Sequence, residues 1–271
     1  MLFDTHCHLA NSRLNDDLPA VLERANAAGV QSILVPATTL EDALQVLAIH
    51  DAYPWVLPAV GIHPCDADSV QAESNDWLAR LESVARRPSV SAIGEIGLDF
   101  FHPPPQGFTH EAWSTQQHLV VRAQLELAVA INLNVIIHTR NSHDEMLAVI
   151  KPFTGRLRAV FHCFSGTLDQ AKALIDLGHL VSFTGNVTFP NAPIIQETAA
   201  SLPDGTFMLE TDAPFLAPLP HRGKRNEPAF VRHVAEKIAQ LRGADLEQVA
   251  ASTTATAKAF FKIPAPSALA Q

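Results

Sequence analysis

The sequence predicts an α/β protein whose eight parallel strands close into a single (β/α)8 TIM barrel. Short apolar runs rich in Val, Ile, Leu and Phe recur eight times, and helical patterns lie between them. This alternation, at one unit per roughly 34 residues, is typical of parallel βαβ units. The length of 271 residues also suits one barrel. An open doubly wound sheet is the alternative, but no glycine-rich dinucleotide-binding motif follows the first strand.

The apolar runs place each strand. We predict strands over 2–8, 30–36, 56–62, 90–96, 134–139, 158–164, 179–184 and 206–211. Helical spacing predicts helices over 18–28, 40–51, 70–86, 115–131 and 168–177, and a capping helix over 245–261. Gly29 and Gly178 end two of these helices just before a strand.

The chain shows no linker that would divide it. We therefore expect one domain over residues 1–263 and a frayed tail over 264–271. No apolar run reaches the roughly 18 residues that a membrane helix needs, and no secretory signal opens the chain. We expect a cytoplasmic protein with no membrane association, and a monomer, because no exposed apolar stripe is evident.

Charge and cysteine content narrow the function classes. A formal net charge of −9 argues against a protein that coats duplex nucleic acid by charge alone. It does not exclude an enzyme that holds one or two phosphates locally. The cysteines, Cys7, Cys65 and Cys163, are not spaced as a C-x-x-C motif and are expected to be reduced thiols, as in a reducing compartment.

Metal-binding residue types gather at the predicted strand ends, where barrel enzymes place their chemistry. The candidate ligands are His6, His8, Glu95, His138, His162 and Asp212. Imidazole and carboxylate together suit a divalent ion such as zinc, manganese or magnesium. The sequence leaves open one ion or two. With two, Glu95 would bridge them, His6, His8 and Asp212 would complete one site, and His138 and His162 the other. Asp212 is also the candidate general base and, with Glu95, a candidate catalytic residue.

Strand pleating predicts which side chains share a face. Leu2, Asp4, His6 and His8 would point one way, and Phe3, Thr5 and Cys7 the other, so Cys7 would pack outside the lumen. The same alternation turns Cys163 away from the face of His162. Asp4 and Glu210 are predicted to support the ligands, with Asp4 orienting a histidine ring by accepting its second N–H.

A basic loop follows the last predicted strand. The segment PLPHRGKRNEP (218–228) holds His221, Arg222, Lys224 and Arg225 within five positions. In an acidic chain such a cluster at the active face predicts phosphate binding, and the alternative is a solvated run of charge. The predicted substrate-binding residues are Arg222, Lys224 and Arg225, together with His63 in GIHP and Arg140 in HTR.

Taken in order, these motifs resemble one family. FDTHCHL, GIHP, GEIGLDF, VIIHTR, HCFSG, TGNVTF and LETDAPFLAP…HRGKRNEP are similar to the TatD-type metal-dependent hydrolases over about residues 3–261. The resemblance implies a barrel of the amidohydrolase type, a divalent-metal site, and hydrolysis of DNA phosphodiesters, often from the 3′ ends of single strands. Carried over by position, its metal ligands are the same six residues, and His63 lies near the substrate phosphate.

The chain departs from the family pattern at three places. Asn134 replaces a common proline, which concerns only the start of a strand. Thr256 replaces an asparagine whose side chain bonds to the backbone, which questions the docking of the last helix. Phe100 and Phe101 keep an aromatic pair without tyrosine hydroxyls, and their rings would stack on a base if they line the site.

The favoured function is therefore a metal-dependent deoxyribonuclease that uses a metal-activated water, resembling a 3′-5′ exonuclease on single-stranded DNA. The alternative is a hydrolase of the same barrel that acts on a small amide, a lactone or an ester linkage on transfer RNA, because fold does not fix substrate. A barrel that binds metal or nucleic acid without chemistry is the third hypothesis. The complete ligand set argues against it.

Overall fold

A computed structural model describes residues 1–72 and 76–263. These residues form one parallel sheet in which each strand pairs with the next in sequence, from β1 to β8. The strands are β1 Leu2–Asp4, β2 Val30–Pro36, β3 Val56–Val60, β4 Ala92–Asp99, β5 Val135–Arg140, β6 Ala159–Phe161, β7 Leu180–Phe183 and β8 Phe207–Leu209. Backbone bonds from Thr5 N–H to the Leu209 carbonyl (3.0 Å) and from Asp212 N–H to the His6 carbonyl (2.8 Å) join β1 to β8. The predicted (β/α)8 barrel is confirmed.

Helices connect the strands on the outside. They are α1 Ser12–Asn15, α2 Leu18–Ala27, α3 Leu40–Ala52, α4 Ser69–Ala72, α5 Trp77–Ala85, α6 His110–Ala130, α7 His143–Ile150, α8 Leu168–Asp176, α9 Pro193–Ser201, α10 Val231–Arg242 and α11 Leu246–Phe260. Gly29 (φ 89°) and Gly178 (φ 85°) follow α2 and α8 in the left-handed region, as predicted. Within the described residues, no helix is long and apolar enough to cross a membrane. The predicted tail 264–271 and residues 73–75 of the predicted helix 70–86 lie outside them.

Apolar side chains fill the N-terminal half of the barrel. Each strand contributes one residue to this layer: Phe3, Leu34, Ala59, Ala92, Ile136, Val160, Leu180 and Met208. Ala257, Phe260 and Phe261, at the end of α11, pack against the layer from below, and the rings of Phe3 and Phe261 lie 5.9 Å apart. We call these eleven residues the barrel floor. The floor leaves the C-terminal mouth as the place for polar groups.

The last helix is anchored from β5. The Asn134 side chain donates to the Phe260 carbonyl at 2.6 Å and accepts from the Arg158 N–H at 3.2 Å. Among the described residues, the Thr256 hydroxyl bonds within its own helix, to the Ser252 carbonyl at 2.9 Å. The two departures from the family pattern thus meet at the same end of the barrel, where Asn134 supplies a side-chain bond to the end of α11.

The predicted pleating of the first strand is wrong for Leu2 and Phe3. The Phe3 ring lies in the floor, whereas Leu2 and Cys7 belong to the core between the barrel and the helices. The reason is that β1 ends at Asp4, so regular alternation stops before the histidines. Beyond it, the Cys7 N–H bonds to the Leu34 carbonyl at 3.0 Å and an isolated bridge joins Cys7 to Ala213. Cys7 itself is fully buried outside the lumen, as predicted.

Candidate metal centre

The mouth of the barrel holds a cavity of about 810 Å³. Five of the six candidate ligands line it, namely His8, Glu95, His138, His162 and Asp212, and His63 and Arg140 line it too. His6, the sixth candidate, is fully buried just beneath. Side chains from strands that are far apart in sequence therefore converge on one point.

Glu95 stands at the centre of this cluster. Its Oε2 lies 3.2 Å from His6 Nε2 and 3.7 Å from His8 Nε2. Its Oε1 lies 2.8 Å from His138 Nδ1 and 2.7 Å from His162 Nε2. One carboxylate thus presents one oxygen to each pair of imidazoles.

Asp212 completes the first of these two groups. Its Oδ1 lies 3.4 Å from His8 Nε2 and 3.9 Å from His6 Nε2. The residue takes a left-handed backbone conformation (φ 56°) just beyond β8, and its N–H is fixed by the His6 carbonyl. The donor atoms form one set from His6, His8 and Asp212 and another from Glu95, His6 and His162, each within 4.8 Å.

The electrostatics of the cluster favour ionised carboxylates. Burial opposes ionisation of Glu95, but His162 and His6 outweigh it and hold its pKa well below the usual value. Burial likewise opposes ionisation of Asp212, whose pKa is lowered by His8 and His162. Burial opposes protonation of His162, yet Glu95 and Glu210 raise its pKa well above the ordinary imidazole value. The neighbouring imidazoles therefore keep the carboxylates of Glu95 and Asp212 negatively charged.

The donor set fits a divalent cation. The Nε2 atoms of His6 and His8 are only 3.2 Å apart, and both point at the same carboxylate oxygen. Buried imidazoles and carboxylates at this density need a shared positive charge. Among the described residues, the buried Nδ1 of His6 has no hydrogen-bond partner, and the buried Nδ1 of His162 faces the Glu210 carboxylate at 3.5 Å. Nitrogen and oxygen donors together suit zinc or manganese.

The two predicted supporting residues act differently from each other. Asp4 accepts from Thr211, at 2.8 Å from its N–H and 2.6 Å from its hydroxyl, and from the His6 backbone N–H at 3.4 Å. It therefore fixes the backbone between β1 and β8, and the predicted bond to a histidine ring is wrong. Glu210 accepts from Ser182 and from the Cys163 N–H, and its Oε1 lies 3.5 Å from His162 Nδ1.

His63 lies closer to the centre than predicted. Its Nε2 is 3.5 Å from Glu95 Oε1, and its Nδ1 accepts from the Cys65 N–H at 3.1 Å. Burial lowers the pKa of His63, so its ring is neutral at neutral pH. The structure places it with Glu95 and His138 as a possible donor group, in addition to the substrate role that the sequence predicts.

Asp99 is the main residue that sequence analysis missed. This fully buried carboxylate accepts from His138 Nε2 at 3.0 Å, which turns His138 Nδ1 toward Glu95. It is the last residue of β4, which runs three residues further than predicted. The signal was present, since Asp99 follows Glu95 by four residues in GEIGLDF. A carboxylate behind a metal-binding histidine fixes the tautomer and orientation of the ring.

The predicted orientation of Cys163 is also wrong. β6 ends at Phe161, and Cys163 takes a left-handed conformation (φ 48°) that breaks the strand alternation. Its thiol lines the cavity, with Sγ 3.5 Å from the Thr184 hydroxyl. Burial raises the pKa of Cys163 to about 12, so it is a neutral thiol and not a nucleophile.

The basic loop does not enter the cavity. Arg225 forms a bidentate ion pair with Asp17, at 2.6 and 3.0 Å, which ties the loop to the segment before α2. Arg222 lies over the Phe189 ring at 4.2 Å, and Lys224 is exposed. Among the described residues that line the cavity, Arg140 alone comes from the predicted cationic set. Its guanidinium stacks 3.9 Å from the centre of the Phe101 ring.

Known proteins resemble this chain over nearly its whole length. The sequence profile of a family described as "TatD related DNase" matches residues 3–262. A Bacillus subtilis protein named "Uncharacterized metal-dependent hydrolase YabD" is 36% identical over 265 residues, covering 97% of this chain and all of the relative. A Salmonella typhimurium protein named "3'-5' ssDNA/RNA exonuclease TatD" is 33% identical over 270 residues, covering 97% and 99% of the two chains.

A solved structure extends the likeness to three dimensions. The crystal structure of YjjV, a TatD homologue from Escherichia coli K12, superimposes with a TM-score of 0.87 and 32% identity, covering 97% of this chain and 98% of that one. The family match spans nearly the whole barrel, and these relatives are similar over their full length. The chain belongs to the TatD related DNase family and is a metal-dependent hydrolase.

Proposed function

We propose that this protein is a deoxyribonuclease that removes nucleotides from the 3′ ends of single-stranded DNA. The observation that carries the proposal is the donor cluster around Glu95, in which one buried carboxylate joins two groups of imidazoles. The exonuclease name of the Salmonella relative supports this substrate class. The proposed ligands are His6, His8, Glu95, His138, His162 and Asp212, and they would hold two ions of zinc, manganese or magnesium, one in each imidazole group.

The residues of the cluster have different proposed roles. Divalent ions bound here would polarise a phosphoryl oxygen and lower the pKa of water. Asp212 lies at the cavity edge of the cluster and is held ionised, so it accepts the proton of the attacking water. Glu95 stays ionised between the two groups and holds their spacing. Asp99 keeps the His138 ring oriented, and Glu210 does so from behind His162.

Two pairs of a phenylalanine and an arginine at the mouth could bind unpaired bases. Phe101 is 54% exposed and carries Arg140 on its face. Phe215, which is 46% exposed and lines the cavity, has the Arg13 guanidinium 5.9 Å from its ring centre. Aromatic rings stack on bases of any sequence, and arginines bind the backbone phosphates. These pairs support a single-stranded substrate better than a duplex.

The state of the cysteines bears on where the protein works. Cys7, Cys65 and Cys163 are all free thiols, which is consistent with the proposed cytoplasmic location. The proposed partner is the end of a single DNA strand, and the proposed assembly is a monomer.

The test uses metal-stripped protein and single-stranded DNA labelled at either end. We expect shortening from the 3′ end that depends on added magnesium, manganese or zinc. Asp212→Asn should reduce the rate by roughly 10²–10⁴-fold, because it removes the proton acceptor and a ligand. Asp204→Asn is the matched control, since Asp204 is exposed and pairs with Arg242.

The outcomes separate the hypotheses. Equal rates for Asp212→Asn and wild type would remove Asp212 from the mechanism. No shortening by protein that holds metal would reject the nuclease and favour the small amide, lactone or transfer-RNA ester as substrate. A screen of such esters and amides would follow.

A second test concerns Arg140 and Phe101, which we call the rim of the cavity. Arg140→Ala should raise KM for single-stranded DNA about 5- to 30-fold, the loss of one stacked cation, with a smaller change in kcat. Arg156→Ala is the control, because Arg156 also stacks on a phenylalanine, Phe153 at 5.2 Å, outside the cavity. An unchanged KM for Arg140→Ala would show that substrate does not cross this part of the rim.

A further inference from the structure

A second cluster of metal-binding side chains lies beside the centre. Cys65, Asp99 and His102 place three donor atoms within 4.8 Å of one another. Cys65 Sγ lies 3.6 Å from His102 Nδ1, and His102 Nδ1 lies 2.8 Å from Asp99 Oδ2. His102 also lines the cavity mouth. None of the six proposed ligands belongs to this trio.

The local structure holds these donors in place. Cys65 lies in the short 3-10 turn Pro64–Asp66 after β3, where its N–H bonds to His63 Nδ1. Asp99 Oδ1 accepts from the N–H groups of Phe101 and His102, each at 2.9 Å, which folds the chain back over the end of β4. Asp99 is fully buried, so its carboxylate has one fixed direction. The backbone that carries the three donors is therefore fixed, and the ring of His102 is the part that can still adjust.

The spacing and donor types match zinc. Zn–S and Zn–N bonds of about 2.3 and 2.0 Å at a tetrahedral angle put sulfur and nitrogen about 3.5 Å apart, close to the 3.6 Å found here. The shorter distance between His102 Nδ1 and Asp99 Oδ2 is that of a hydrogen bond, and a small rotation of the half-exposed His102 ring opens it. A thiolate beside imidazole and carboxylate selects zinc over magnesium and manganese.

We propose that Cys65, Asp99 and His102 form a third metal site that binds zinc, separate from the centre around Glu95. Zinc would take the place of the proton on Cys65 Sγ, which is released to solvent. It would bind the neutral His102 ring at Nδ1, with the ring proton on Nε2, and Asp99 through Oδ2. Water would fill the fourth position, on the exposed side of His102.

The site is joined to the main centre through one atom. Asp99 Oδ2 also accepts the His138 Nε2 proton at 3.0 Å. An ion on this oxygen draws charge away from that hydrogen bond. Occupancy of the third site should therefore change the metal affinity of the main centre, in which His138 is a proposed ligand.

Cobalt gives a direct test, because a thiolate bound to Co²⁺ produces a charge-transfer band in the near ultraviolet. The six proposed ligands of the main centre contain no sulfur, so only a cysteine site gives this band. Metal-stripped wild-type protein titrated with Co²⁺ should show the band, and Cys65→Ser should lose it. Cys163→Ser should keep it and is the matched control, because Cys163 lines the same cavity.

A zinc count completes the test. Zinc-loaded Cys65→Ser should hold one ion fewer per chain than wild type, while the circular dichroism spectrum stays the same. His102→Gln should weaken zinc binding at this site at least about 10-fold, as loss of a donor does. Absence of the band in the wild type, or its survival in Cys65→Ser, would overturn the proposal. Equal zinc counts in wild type and Cys65→Ser would do the same.

Discussion

The two ends of the barrel are built from the same strands but have different roles. The floor is packed with apolar side chains, and the mouth holds the candidate metal ligands. In β5, Ile136 lies in the floor and His138, two residues later, lies in the metal centre. Val160 in β6 and His162, just after the end of that strand, repeat this arrangement. Side chains two residues apart on a strand point the same way but lie at different depths of the lumen. One therefore packs in the floor, and the next on that face is a candidate metal ligand.

The floor and the mouth also contribute differently to the free energy of unfolding. The floor is fully apolar and nearly inaccessible to water, so it contributes to the free energy of unfolding through burial. The mouth buries His6, Glu95 and His162 almost completely, which costs free energy unless protons or metal ions balance the charges. Substitutions in the mouth should therefore change activity and metal content, and substitutions in the floor should change stability.

The largest effect is expected at the centre of the mouth. Glu95→Gln removes the charge that both imidazole groups share, so we expect a loss of metal and a fall in hydrolysis of roughly 10³-fold or more. Metal content by mass spectrometry and single-turnover rates measure this. Glu227→Gln is the control, because Glu227 is a buried carboxylate that pairs with Arg24 and does not line the cavity. Full metal content in Glu95→Gln would contradict the proposal that the mouth binds metal through Glu95.

The floor should respond in the opposite way. Phe260→Ala leaves a cavity under the barrel, because Phe260 is fully buried at the end of α11. We expect the free energy of unfolding to fall by about 3–5 kcal/mol, measured by urea denaturation. The rate per folded molecule should stay the same. A lower rate with unchanged stability would show that the two ends are not separate in function.

The last prediction is a pH dependence of metal affinity at the mouth. Burial opposes protonation of His8 and His138, but neighbouring carboxylates raise the pKa of both above the ordinary imidazole value, as they do for His162. Metal must displace these protons, so affinity should be highest at alkaline pH and fall as pH decreases through these raised values. The slope should approach tenfold per pH unit for each proton displaced.

Competition with a chelator between about pH 6 and about pH 8 measures this slope. Calorimetry in buffers of different ionisation enthalpy counts the protons released. An affinity that is the same across this range would show that the imidazoles are already neutral in the metal-free protein.

Sequence reasoning succeeded where the strands are regular. Strand alternation carries His138 and His162 from the floor layer to the centre without interruption, and the (β/α)8 alternation gave the fold. It failed for Phe3 and Cys163, because β1 and β6 end early and the chain then leaves the extended conformation. The pairing of β4 with β5 also shifts between Ile93 and Ile96, just where Glu95 lies. A local pattern cannot show such breaks.

Other contacts depend on residues far apart in sequence. Asn134 bonds to the carbonyl of Phe260, 126 positions later, so its role at the end of α11 has no local sign. Arg225 reaches Asp17 across 208 positions, which turns a predicted phosphate ligand into half of an ion pair. Asp99 is different, because its position at the end of a strand after Glu95 was visible in the sequence.

The central claim is that the mouth of the barrel would hold two ions, one in each imidazole group on either side of Glu95. The most direct measurement is the electron paramagnetic resonance spectrum of metal-stripped protein to which two equivalents of Mn²⁺ are added. Two ions on one carboxylate, about 3.5–4 Å apart, should give the spectrum of an exchange-coupled pair. The hyperfine pattern of isolated Mn²⁺ ions, with no coupled signal, would contradict the claim.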